Sequence, residues 1–308
     1  MNRILFFLTT VCFTVMSCTK EKTDYEAEIG AVVTEHEEFK EAVSIQHDGY
    51  DIRVEVLNGT FYKGYNEIRL KITNSQTTEQ ADVSAVTFLP IRTDTDGSTG
   101  SCPHQYDLGD RSNGDYFSGY SVFTSESNGD ESWELYIGFT IGGQTHTVKQ
   151  HIAVQEQPNK NLNMTAFTGK DDKQYVIALI SPQKPKVGEN DLVAGIYRFN
   201  KPLNPSSGSF PDPSQFLYEE VRGYTLQLDP RMPEPSMGNH SSPNNKDLTQ
   251  QGDGLYHGLV NYTMTGNWTL NLIMLNQDGR ILKGTEVPTD FTPGVEGAKS
   301  ELYIDILF

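Results

Sequence analysis

Cysteine is scarce: the chain of 308 residues has three, Cys12, Cys18 and Cys102. So few exclude a disulfide framework, and no Cys-x-x-Cys or His-Glu-x-x-His appears to hold zinc or run dithiol chemistry. No glycine-rich phosphate loop follows a strand, and there is no Gly-x-Ser-x-Gly elbow for a nucleophilic serine. Basic residues are short as well, 24 Lys and Arg against 41 Asp and Glu, for a formal charge of −17. Such a chain repels nucleic acid and anionic headgroups. Carboxylates are plentiful but scattered through turns, where Asp serves turn geometry, and no pair stands out for acid–base work. His36, His47, His146 and His151 read as isolated, without partners at ligand spacing. The expectation is a protein that is not an enzyme.

Long apolar runs are missing too, apart from Ile4 to Met16 in "MNRILFFLTTVCFTVMSC". That run is too short for a permanent membrane helix but suits a signal peptide, expected at 1–17. It closes on "VMSC", which resembles the lipobox of bacterial lipoproteins. The resemblance implies lipidation of Cys18, a membrane contact made by acyl chains alone, and a place in the bacterial cell envelope. Thr19 stands where Asp often marks inner-membrane retention, which points to an outer-membrane lipoprotein. Residues 18–41 are charged and poor in large apolar side chains, and read as a lipidated tether. Cys102 is then left without a disulfide partner.

What is abundant is alternation. "DIRVEVL", "NEIRLKIT", "SWELYIGFTI" and "HTVKQHIAV" have period two and are separated by Gly, Asn and Asp turns, the pattern of antiparallel strands. The fold class expected is all-β: two tandem Ig-like antiparallel β-sandwich domains, over 42–155 and 160–308. The division rests on an internal repeat. Gly64 to Ile68 finds a counterpart in Gly188 to Leu192. Pro90 matches Pro230, Phe117-Ser118-Gly119 matches Tyr256-His257-Gly258, and Trp133-Glu134-Leu135 matches Trp268-Thr269-Leu270. The two tryptophans read as core anchors. The join falls near "QEQPNK" at 155–160.

One stretch carries donors. "PRMPEPSMGNH" at 230–240 has three prolines that forbid a helix, so Met232, Met237 and His240 are placed on a kinked loop. Two thioethers and an imidazole suit a soft ion, Cu(I) above all. The first repeat has Cys102 and His104 in "RTDTDGSTGSCPHQ", a second candidate metal site. Packing methionines with a solvated histidine are the bland alternative.

Residues 175–285 resemble the YtkA-like domain, related to FixH-type envelope proteins. The resemblance lies on Gly188 and Asn190, on Met232, Pro233, Met237 and His240, on Gly254 and Tyr256, and on Met264, Gly266 and Trp268. It implies an Ig-like sandwich linked in some members to copper handling, with a metal ion or a metal-handling envelope protein as partner. Here the loop is wider than the family pattern, the first repeat lacks its methionines, and a lipid replaces the transmembrane helix of FixH-type members. Met264 and His257 are reserve ligands. The function expected is a lipid-anchored envelope protein that carries or senses Cu(I). The alternative is a non-enzymatic Ig-like interaction module without a metal site.

Overall fold

The computed structural model describes residues 38–112, 115–204 and 210–308. The signal peptide at 1–17, the lipid site Cys18, His36 and most of the expected tether lie outside them. The first half of the chain contributes β1 (Phe39–His47), β2 (Tyr50–Leu57), β3 (Phe61–Tyr62), β4 (Gly64–Asn74), β5 (Val83–Asp94) and β6 (Thr99–Gly100). It continues with β7 (Gly109–Ser112), β8 (Tyr116–Phe123), β9 (Glu131–Ile141), β10 (Gln144–Ile152) and β11 (Val154–Gln155). The second half contributes β12 (Met164–Thr168), β13 (Gln174–Ser181), β14 (Gly188–Phe199), β15 (Tyr218–Glu220), β16 (Thr225–Met232) and β17 (His240–Ser241). Then follow β18 (Lys246–Gln250), β19 (Tyr256–Tyr262), β20 (Asn267–Leu275), β21 (Ile281–Lys283) and β22 (Tyr303–Leu307). Among the described residues the helical structure is one short turn, Pro213–Gln215. The fold is all-β and sandwich-like, antiparallel except where β11 runs parallel to β3.

Strand β1 begins at Phe39, three residues inside the segment expected to be tether. Its start is hard to read because it is an edge strand: Lys40 and Glu41 face solvent, and a bulge interrupts pairing between Glu41 and Val43. Charge and bulges on an edge prevent further strand addition, and they also blur the period-two signal.

In the first half β1-β2-β4-β8-β7 form one sheet and β10-β9-β5-β6 the other. The strands of the second half are hydrogen-bonded into one curled sheet in the order β12-β13-β14-β19-β18-β16-β20-β21. Each half buries its own apolar cluster, one anchored by Trp133, Phe123 and Phe139, the other by Trp268, Tyr256 and Tyr262.

The repeat recurs in three dimensions. Gly64 pairs with Phe123 and Gly188 with Tyr262; Pro90 pairs with Leu135 and Pro230 with Leu270. Both strand-opening glycines have positive φ, +103° and +106°, which favours glycine. Two residues on, each Asn clasps its own entry loop. Asn66 accepts from the Tyr62 amide and donates to the carbonyls of Tyr62 and Gly64. Asn190 does the same with Lys186 and Gly188. Each indole N–H finds a carbonyl, Trp133 that of Ser125 and Trp268 that of Met264.

The connection near 155–160 is not a free linker. Gln157, Asn159, Asn161 and Leu162 are buried. The Leu162 amide donates to Gln157 Oε1, and its carbonyl accepts from Tyr65. Around it Val122 of the first half packs with Met164, Val176, Ala178 and Tyr197 of the second, with Tyr65 and Tyr120 against them. A smaller cluster joins Leu89 and Ile91 to Phe216.

Candidate metal centres

The loop expected to carry the soft donors is shorter than its prolines suggest. Pro230, Arg231 and Met232 belong to β16, where Pro230 pairs with Leu270, and His240 opens β17. Only residues 233–239 are irregular. Met232 and His240 are direct antiparallel partners, so their side chains leave the sheet on one face. The loop is pinned: Gly297 donates to the Pro233 carbonyl at 2.6 Å, Asn267 Nδ2 to Glu234 Oε1 at 2.7 Å, and the His240 amide to the Met237 carbonyl at 3.2 Å. Gly238 and Asn239 are both left-handed, with φ +63° and +53°.

Met232 is fully buried, and a Cβ at Gly266 would stand 2.7 Å from its methyl carbon. Met237 is partly buried against the same cluster. His240 is half-buried, its ring edge-on to Trp268 at 6.1 Å, with Nε2 2.7 Å from the Thr263 hydroxyl. The next residue, Met264, is exposed. Two polar atoms at this end, Asn239 Oδ1 and Tyr262 Oη, are buried without a hydrogen-bond partner. The structure thus gathers Met232, Met237 and His240 at one end of the second core, with Met232 in the packed interior and not on an open loop. His257 lies apart and bonds Asp253 at 2.9 Å.

Cys102 and His104 are the second candidate pair. Arg92 pairs with Gly100 where Met232 pairs with His240, so Gly100 stands at the place of His240, and Cys102 and His104 fall beyond the counterpart of the methionine loop. Cys102 is fully buried, its sulfur 3.5 Å from the Ser121 hydroxyl, and burial pushes the thiol up to about 12. His104 Nδ1 lies 2.7 Å from the Cys102 carbonyl, and burial lowers its basicity. Cys102 belongs to the core cluster of the first half.

A different cluster forms from residues that read as isolated. His47 ends β1 and Tyr50 begins β2, joined by Asp48 and Gly49 with φ +49° and +82°. These two left-handed residues make the tight Asp-Gly hairpin turn that matches strand twist. His146 comes from β10, at the edge of the opposite sheet, paired with Phe139. His47 Nε2 and His146 Nδ1 each lie 3.2 Å from Asp48 Oδ2, and the three ligand atoms fall within 4.8 Å of one another. The His146 ring stacks on Phe139 at 5.0 Å and meets the edge of Tyr50 at 5.8 Å. The hairpin dipeptide was readable; the approach of His146 was not, because His47 and His146 meet only when the two sheets close.

No family profile matches the chain, and no curated protein matches it. Among solved structures, one neighbour is a DUF4785 family protein from Legionella pneumophila, 10% identical, with a TM-score of 0.24. The match covers 77% of this chain and 54% of that one, so the chain spans about half the length of this neighbour. Another is a conserved domain protein from Bacillus anthracis, 11% identical, with a TM-score of 0.28, covering 90% of this chain and 93% of that one.

Proposed function

We propose that this chain is a lipid-tethered, non-catalytic protein of the bacterial envelope whose second half takes a soft metal ion, Cu(I) foremost, as a carrier or sensor. The lipid anchor rests on the "VMSC" motif, and the YtkA-like, Ig-like reading on the motifs from Gly188 to Trp268. The observation that carries the metal is the cross-strand pairing of Met232 with His240, which sets a thioether beside an imidazole on one face. Met237 and the exposed Met264 supply further sulfur from the adjoining loops. Thioether and imidazole donors in low coordination number favour Cu(I) over harder ions. With His240 Nε2 engaged by Thr263, Nδ1 is the ring atom left to bind. Because Met232 is sealed, an ion reaches it only if the loop 233–239 shifts outward.

Competition titration with Cu(I) tests the reading. A chain carrying Met232→Leu, Met237→Leu and His240→Ala is expected to lose at least a hundredfold in affinity. Equal affinity in the two chains ends the metal reading. What then stands is an interaction module, favoured by the exposed Phe210, whose ring meets Phe216 in the cleft between the halves. That cleft, about 530 Å³, is lined by Arg92, Phe167, Tyr175, Phe199, Phe216 and Tyr218.

A further inference from the structure

The geometry points to a second, chemically distinct metal site in the first half of the chain: His47, Asp48 and His146 bind a divalent ion of the Zn2+ class and clasp the two sheets together. It is independent of the soft-ion reading. The donors are two imidazoles and one carboxylate, the borderline set that zinc takes in sites with three protein ligands and a fourth position for water.

Distances support this assignment. Donors at about 2.0–2.1 Å from a tetrahedral ion stand roughly 3.3 Å apart. Both imidazole nitrogens lie 3.2 Å from the same carboxylate oxygen, so an ion enters with small side-chain shifts. Preorganisation supports it as well. Asp48 is held by the two-residue turn, and His146 by its stack on Phe139 and the edge of Tyr50. An aromatic shell of this kind fixes ring direction and shields one side of the centre from water.

Access is open. The side chains of His47, Asp48 and His146 are 35, 61 and 14% exposed, so an ion arrives from solvent without unfolding. The net charge of −17 raises the local concentration of cations. The ligands also come from the β1–β2 hairpin and from β10, which are not hydrogen-bonded to each other. The β1–β2 hairpin lies at the β1 edge of one sheet and β10 edges the other, so the ion cross-links the open side of the sandwich.

Titration of the full chain with Zn2+, followed by calorimetry and thermal melting, tests the site. One equivalent is expected to bind and to raise the melting temperature, since a ligand specific to the folded state stabilises it. Asp48→Asn keeps a residue that tolerates the left-handed turn. It is expected to weaken Zn2+ at least tenfold while leaving the metal-free melting temperature close to that of the wild type. His47→Gln with His146→Gln is expected to weaken it at least a hundredfold. Co2+ in place of Zn2+ should show d–d bands without the strong thiolate charge-transfer band. The variant at 232, 237 and 240 should bind Zn2+ as the wild type does, which separates failure of this site from failure of the other. Unchanged Zn2+ affinity in the Asp48 and histidine variants, a thiolate band, or no binding to the wild-type chain overturns the assignment.

Discussion

At matching positions of the duplicated frame, one half places Arg92 opposite Gly100 and the other places Met232 opposite His240. Arg92 turns to the carboxylate of Asp94 at 2.9 Å, a contact typical of a strand end near solvent. Met232 turns inward and is lost from the surface. The frame around them is the same to the residue: a left-handed glycine, an asparagine clasp, a proline in register with a leucine, and a tryptophan two positions before that leucine. The two halves share what holds the sheets and differ at the end where Arg92 and Met232 stand. The two metal proposals lie in different halves and at different ends, one on thioethers with an imidazole and the other on two imidazoles with a carboxylate.

The largest effect expected comes from the shared anchors. Trp133→Ala and Trp268→Ala should each cost about 3–5 kcal/mol in denaturant unfolding, as both indoles are fully buried. A loss in one half with none in the other breaks the equivalence of the two frames. The glycines sharpen it. Gly64→Ala and Gly188→Ala both force an L-residue into positive φ, a strain of about 1–3 kcal/mol. At Gly64 the added Cβ also overlaps the carbonyl of Leu162, whereas at Gly188 it meets nothing within 4 Å. Gly64→Ala is therefore expected to be the more damaging, and its excess reports the contact between the halves. Equal costs, read from denaturant midpoints, would remove Leu162 from the account of that contact.

The smallest effect tests the divergent end. Met232→Leu nearly conserves volume in a packed site and should cost less than about 1.5 kcal/mol in thermal or chemical unfolding. The same change is expected to weaken Cu(I) by at least tenfold, so stability and affinity part company. A large loss of stability with unchanged Cu(I) affinity would make Met232 a core residue and nothing more.

Much of the frame was legible because it is local. Alternation marks strands, Gly and Asn mark where they open, and Trp-x-Leu marks the inner face, all within a few residues. The start of β1 was not legible, since an edge strand hides its period behind charge. The methionine loop was legible as composition, but its boundary was misplaced: three prolines suggested irregular chain, and pairing with β20 and β17 nonetheless extends β16 through Met232. Cys102 and His104 were matched to that loop on residue type, but backbone pairing puts Gly100 at the place of His240, and both donors fall after it.

The sequence by itself determined the all-β class and the alternation of the long strands, because those depend on periodicity along the chain. Only the tertiary structure decided that Met232 is interior, that Cys102 is a buried thiol, and that His146 reaches the turn after His47. Each of these depends on which strand edges meet when two sheets close, a relation between positions far apart in the chain that no short-range pattern encodes.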